Sequence, residues 1–196
     1  MPFGGRPGAV AVILALEGLD GAGKTTVGRL LADMIGARYV PLPPPKTTLA
    51  DTALFRELNS STRYLYYLTG VLAVAEEHHD PEIVLADRFV ASAHALHLRV
   101  PGTLAQKLRG LPLPMPDVTF YLDVHESVRR ARLAARGGAL DPFEQLLDAD
   151  PVFRAEVADT MRSYRNTHVI DTTTRSPSQV ARFGASLWRE LQRASG

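Results

Sequence analysis

Gly18, Gly23, Lys24 and Thr25 stand at the spacing G-x-x-x-x-G-K-[ST] within LEGLDGAGKTT, residues 16–26. A glycine-rich backbone wraps closely around a polyphosphate. Successive N–H groups from Gly21 through Ala22 and Gly23 to Thr26, with the start of the following helix, face the anion. Lys24 neutralises charge on the outer phosphates, and the Thr25 hydroxyl can ligate Mg²⁺. A plain turn that merely opens a helix requires neither lysine nor threonine at those places.

A second group lies in EIVLADRF, where an apolar run ends in Asp87 and Arg88. A carboxylate at the carboxyl end of a strand can hold Mg²⁺ or its water, and the adjacent arginine can reach phosphate. The plainer alternative is a surface Asp–Arg pair capping the next helix. A third group is Arg129, Arg132 and Arg136, which share one helix face while Arg130 turns away. Such a row is commonly a solvated face. This one runs into Gly137, Gly138 and ALDPFEQ, a flexible connection suited to a lid that brings cations over a transferring phosphoryl group.

These residues need strand ends and helix starts to position them. AVAVILALE reads as a buried parallel strand, and Val27, Leu30, Leu31, Met34 and Ile35 follow at helical spacing. RYVPLP reads as a short strand before the Pro-rich PLPPPK, which cannot be helical. Helices are predicted over 48–59, 61–79, 90–99, 103–110, the SVRRARLAAR segment and 150–166. EIVLADRF, DVTFYLDV and HVIDT read as further strands, and Ser176-Pro177 opens a C-terminal helix ending near Gln192. Strands alternating with helices predict a parallel sheet covered on both faces, with ligands at the carboxyl ends of its strands.

At 196 residues, 45% hydrophobic, the chain suits one globular domain. A formal charge of +1 lacks the basic excess of nucleic-acid or anionic-membrane binders. With no cysteine, disulfides, thiolate catalysis and Cys-ligated metal are excluded, which fits a cytoplasmic location. MPFGGRPGAVAVILAL has some look of a signal peptide, but it runs straight into the glycine loop without an A-x-A pattern and is read as a strand. No run of about 18 apolar residues occurs elsewhere, so no membrane span is expected.

EGLDGAGKTT, DRF, PDVTFYLDV, the spacing from Arg132 to Gly137, and DPFEQ together resemble the thymidylate kinase family of P-loop nucleoside monophosphate kinases, over about residues 9–172. The resemblance implies a three-layer α/β/α P-loop fold with a five-stranded parallel sheet, a small lid over about residues 132–148, and a homodimer. It implies ATP and Mg²⁺, and transfer of the γ-phosphoryl group to dTMP. By position, Asp20 matches the acid near the acceptor sugar, and Arg88 the arginine between donor and acceptor phosphates. Arg132 and Arg136 match lid arginines. Gly21 stands where one branch of the family carries a loop arginine.

Departures concentrate in the implied acceptor pocket. PLPPPKTT replaces R-E-P-G-G-T, with Lys46 or Arg56 as substitutes for the lost arginine. Tyr66 matches the base-stacking aromatic, but the base-reading arginine four residues on is Gly70. A-Y-Q is replaced by Ala95, Leu96 and His97, and the arginine of the lid's D-R-x-E is Pro142. Replacing groups that hydrogen-bond a base changes which base the pocket prefers.

Two other classes stay open. A kinase acting on a nucleoside or other hydroxyl would need a carboxylate base, for which Asp20 or Glu17 is available. A regulatory protein would bind ATP without turnover. His78, His79 and Asp80 read as a solvated helix end rather than a metal site. Tyr64, Tyr66 and Tyr67 read as core or pocket wall rather than a nucleic-acid platform.

Overall fold

A computed structural model describes residues 11–42, 60–77, 83–97, 104–108, 110–137, 140 and 142–195. Its strands are β1 (Val12–Glu17), β2 (Arg38–Pro41), β3 (Ile83–Asp87), β4 (Val118–Asp123) and β5 (Thr167–Asp171). The helices are α1 (Lys24–Ile35), α2 (Ser60–Glu77), α3 (Val90–His97), α4 (Leu104–Lys107), α5 (Glu126–Arg136), α6 (Pro142–Ala149), α7 (Pro151–Arg162) and α8 (Pro177–Ser195). The predicted helix over 48–59, and Lys46, Arg56, His78, His79 and Asp80, lie outside the described residues.

The five strands form one parallel sheet in the order β2-β3-β1-β4-β5. The glycine-loop strand is therefore central. Its register sets Leu16 opposite Asp87 on one side and Glu17 opposite Tyr121 on the other. The loop, Asp87 and the end of β4 consequently sit level at one edge of the sheet.

Alternation along β1 divides the core. Leu14 and Leu16 join Leu85, Phe120 and Leu122 under α1 and α8, where Val27, Leu31, Ala185 and Trp188 complete the layer. Ile13 and Ala15 face the other way, with Val84 and Ala86, under α2 and the start of α3. Burying one fully apolar side chain of this size contributes about 1.5–3 kcal/mol, so both layers are needed to hold the central strand in place.

Several helix bounds differ from expectation: the helix expected over 150–166 ends at Arg162, and the one expected over 103–110 spans Leu104–Lys107. The connection predicted around DPFEQ is helical from Pro142: proline suits a first helical turn, Glu144 favours its positive end, and Leu147 is buried against α3 and α7. The C-terminal helix continues past Gln192 to Ser195. Its start follows the sequence reading: Gln179 N–H donates to Ser176 Oγ at 3.3 Å, while Ser176 N–H donates to Gln179 Oε1 at 2.8 Å.

Candidate active site

The loop's shape follows from its glycines. Gly18, Gly21 and Gly23 have φ of 143°, 86° and 95°, conformations that side chains rarely adopt. A Cβ on Gly18 would stand 2.6 Å from the carbonyl oxygen of Leu122. One on Gly21 would stand 2.9 Å from the Arg129 carbonyl oxygen and press on Leu133, so α5 fills the space that a loop arginine would need. Within the loop, Ala22 N–H donates to Leu19 O at 3.1 Å, and the first helical bond is Val27 N–H to Gly23 O. The N–H groups of Lys24, Thr25 and Thr26 thus open α1 without intrahelical acceptors, as an anion site requires.

Lys24 is buried, and its Nζ donates to the carbonyls of Gly18 and Leu19, both at 2.9 Å. Burial, with Arg88 adding to it, lowers its pKa to about 8 against the pull of Asp20 and Asp87. Asp20 pairs with Arg88 and lies 3.8 Å from Lys24. Burial alone would raise its pKa; Arg88, Lys24 and Arg136 together hold it below the ordinary value. Arg88 has a φ of 73°, unusual for a residue with a side chain. Its N–H donates to Leu16 O at 2.9 Å and its Nη1 to Ser92 Oγ at 3.3 Å. Burial works against its charge, but Asp20 and neighbouring acids raise its pKa above the ordinary arginine value.

Thr25 Oγ1 donates to Asp87 Oδ2 at 2.8 Å. A hydroxyl and a carboxylate side by side at a strand end, next to a phosphate loop, are the hard oxygen donors Mg²⁺ takes, so these residues fit the ion. The same Oδ2 also accepts the Tyr39 hydroxyl at 2.5 Å, a partner the sequence reading missed. Burial and the Asp87 contact raise the pKa of that phenol, which therefore stays a donor.

Arg132 and Arg136 reach the same cavity, of about 560 Å³, as the loop, Asp87 and Arg88. Arg132 is held on main-chain carbonyls: Nη2 donates to Thr172 O at 2.7 Å, and Nη1 reaches Gly21 O and Ala22 O at 3.4 Å. Arg136 pairs with Glu144 at 2.7 Å. Arg129, from the same row, is buried instead, bidentate on Glu126 at 2.6 and 2.8 Å, with Nη1 3.4 Å from Asp20 O. The arginine row thus splits between a buried tie to the loop and two cavity residues.

Glu17 is wholly buried. By alternation it falls on the α3 side, where it accepts Phe89 N–H at 2.9 Å, Ser92 N–H at 3.1 Å and the Ser92 hydroxyl. Burial raises its pKa despite these donors. With both oxygens engaged at the start of α3, it does not serve as a base toward an acceptor.

Beyond Arg88, the ring of His97 contacts Tyr64 at 5.5 Å, Tyr67 at 5.6 Å and Phe143 at 4.8 Å. The Arg63 guanidinium lies 4.8 Å over Phe143. His97 is fully buried, with Nδ1 2.8 Å from Ala93 O, and burial lowers its pKa to about 4. Nδ1 therefore carries the proton of a neutral ring and donates to that carbonyl. Leu96 turns away into the core beside Tyr121 and Leu147. On α2 the rings brought to His97 belong to Tyr64 and Tyr67; Tyr66 is half-buried and Gly70 buried.

The thymidylate kinase family model matches residues 16–182, from the end of β1 into α8. The chain belongs to the thymidylate kinase family. The thymidylate kinase of Xanthomonas euvesicatoria is 30% identical, with 97% of this chain and 89% of that protein covered. Among solved structures, the thymidylate kinase of Candida albicans superposes with a TM-score of 0.68 at 16% identity, covering 95% of this chain and 93% of that one. A deoxyadenosine kinase from M. mycoides, solved with bound dATP, superposes at 0.65 and 16% identity, covering 90% and 98%. These two likenesses concern the fold. Membership of the thymidylate kinase family makes the chain a phosphotransferase, and the loop, Asp87 and Arg88 lie where its sheet order converges.

Proposed function

We propose that this protein transfers the γ-phosphoryl group of ATP to dTMP or a related pyrimidine nucleoside monophosphate. The observation that carries the reading is the convergence of Lys24, the Thr25–Asp87 pair, the Asp20–Arg88 pair and two α5 arginines on one cavity. The acceptor is mostly dianionic near neutral pH, its second pKa being about 6, so its oxygen needs no general base. What hinders reaction is repulsion between two polyanions and charge growing on the transferring group. The loop amides and Lys24 hold the donor phosphates, and Arg88 sits where it can lie between donor and acceptor. Asp20 keeps Arg88 oriented and accepts from an acceptor sugar hydroxyl. Arg136 and Arg132 close over the phosphates from the lid segment, about residues 132–148. Thr25 and Asp87 would hold Mg²⁺, which when bound would neutralise charge on the donor phosphates.

By the family resemblance, the positions that face the acceptor base fall at Tyr66, Gly70, Leu96 and His97. We take Tyr67 and Phe143, which pack on His97, as walls of the base pocket, and Arg63, 4.8 Å over Phe143, as the cation of α2 in place of an arginine at position 70. That shift favours a second reading, an acceptor base other than thymine. We also propose a homodimer through the outward face of α2, where Leu65 and Leu72 are exposed, and a cytoplasmic location. Among the described residues, no helix is long and apolar enough to cross a membrane.

ADP release with Mg-ATP against dTMP, dUMP, UMP, CMP and the matching nucleosides tests these readings. Turnover is expected on a pyrimidine monophosphate, and its loss by at least about 10²-fold in folded Lys24→Met. Turnover on nucleosides alone, or unchanged turnover in that variant, would sink the assignment.

A further inference from the structure

Tyr39 belongs neither to the glycine loop nor to a strand end on the phosphate edge, yet its hydroxyl bonds the same Asp87 oxygen as Thr25. It comes from β2, where it stands opposite Leu85, two positions before the pairing of Pro41 with Asp87. To reach the carboxylate, the phenol must lie forward between the sheet and α1.

Helix α1 is built to let it pass. A Cβ at Gly28 would stand 2.6 Å from Tyr39 Cε2 and 3.1 Å from Leu16 Cδ2, so the missing methyl is the space the ring occupies. Glycine inside a helix costs about 1 kcal/mol relative to alanine, and nothing in the helix itself asks for it there. The outer side is closed by Arg29, whose guanidinium lies 5.5 Å from the ring centroid. The hydrogen bond and the glycine slot are separate observations that place the same group.

Asp87 sits within the electrostatic reach of Lys24 and Arg88, both of which draw on its charge. A carboxylate in that company can rotate toward either cation. Two hydroxyl donors on Oδ2 oppose that rotation and leave the lone pairs of the other oxygen for a metal-bound water. We propose that Tyr39 is a positioning residue that holds Asp87 in the orientation from which, with Thr25, it takes the Mg²⁺ of the donor nucleotide. This rests on the nucleotide-binding reading above.

The test is ATP binding to the full chain by calorimetry, from excess EDTA through rising Mg²⁺, in wild type and Tyr39→Phe. Phenylalanine keeps the ring in its slot and removes only the hydroxyl. The affinity without metal is expected to stay within about twofold, while the Mg²⁺ concentration giving half the metal-dependent gain rises about fivefold. Gly28→Ala should displace the ring and reproduce that shift, and should add nothing in a Tyr39→Ala background. A wild-type Mg²⁺ titration in Tyr39→Phe would overturn the role of Tyr39 and leave the nucleotide site standing. ATP binding that gains nothing from Mg²⁺ in the wild type would instead overturn the metal reading itself, and the role of Tyr39 with it.

Discussion

Arg132 Nη2 donates to the main-chain carbonyl of Thr172 at 2.7 Å, so this arginine ties the segment after β5 to the glycine loop. Its Nη1 reaches Thr172 Oγ1 at 3.1 Å as well as two loop carbonyls. A guanidinium can serve all of these in its fixed plane; an ammonium cannot. Arg132→Lys should therefore keep the charge and lose the tie, lowering kcat/KM by about 10–100-fold and unfolding free energy by about 1–2 kcal/mol. Steady-state kinetics with urea melts would check both, and a lysine variant matching wild type would show the tie to be dispensable.

Lys24 offers a signature that does not depend on catalysis. With its pKa lowered to about 8 by burial, it is about half deprotonated at that pH before nucleotide binds. Polyphosphate favours the charged amine and restores the proton. ATP binding near pH 8 should therefore take up about half a proton through Lys24, and near pH 6 almost none through it. Calorimetry in buffers of different ionisation enthalpy measures this, and Lys24→Met should abolish it.

His97 makes acid stability testable. Its folded pKa of about 4 lies below the ordinary 6.5, because burial opposes the charged ring. The unfolded chain binds the proton first, so the stability from keeping His97 neutral is whole above about pH 6.5. It is lost as pH falls through about 4, at up to about 1.4 kcal/mol per pH unit. His97→Gln should show an acid limb shallower by up to that amount; equal limbs in denaturant titrations across that range would contradict the assignment.

Gly21 separates this chain from relatives with an arginine in the loop. Its φ of 86° and the Arg129 carbonyl 2.9 Å from a would-be Cβ bar any side chain while α5 is docked. Gly21→Arg should weaken ATP binding at least about tenfold and lower stability by about 1–3 kcal/mol. Recovery of wild-type turnover would mean that α5 leaves the loop readily.

Legibility followed the range of the interactions. The glycine loop, the strand ending in Asp87 and the alternation that predicts a parallel sheet are local patterns, and the structure has them at the expected residues. Glu17 was legible as an acid but not as a buried cap, because its partners lie 72 and 75 residues away. Tyr39 carries no local signal either; its trace is Gly28, a glycine inside an otherwise well-formed helix. On α2, adjacent residues differ by about 100° around the axis. A helix apolar over most of its surface does not disclose whether Tyr66 or Tyr67 turns toward α3. In the sequence, helix α6 reads as a connection because its glycine-rich approach hides a start that only the packing of Leu147 makes firm.

The central place of β1 bears on how the protein acquires its site. Thr25 meets Asp87 across 62 residues, and Arg88 meets Asp20 across 68, through strands that pair only in parallel. Such distant pairings form late and slowly, since loop closure comes before any gain. A nascent chain can hold the whole glycine motif and still lack the carboxylate and the arginine that complete it. Nucleotide should then act as a ligand of the finished fold alone, shifting the unfolding midpoint with its concentration and giving no protection to fragments that end before β3.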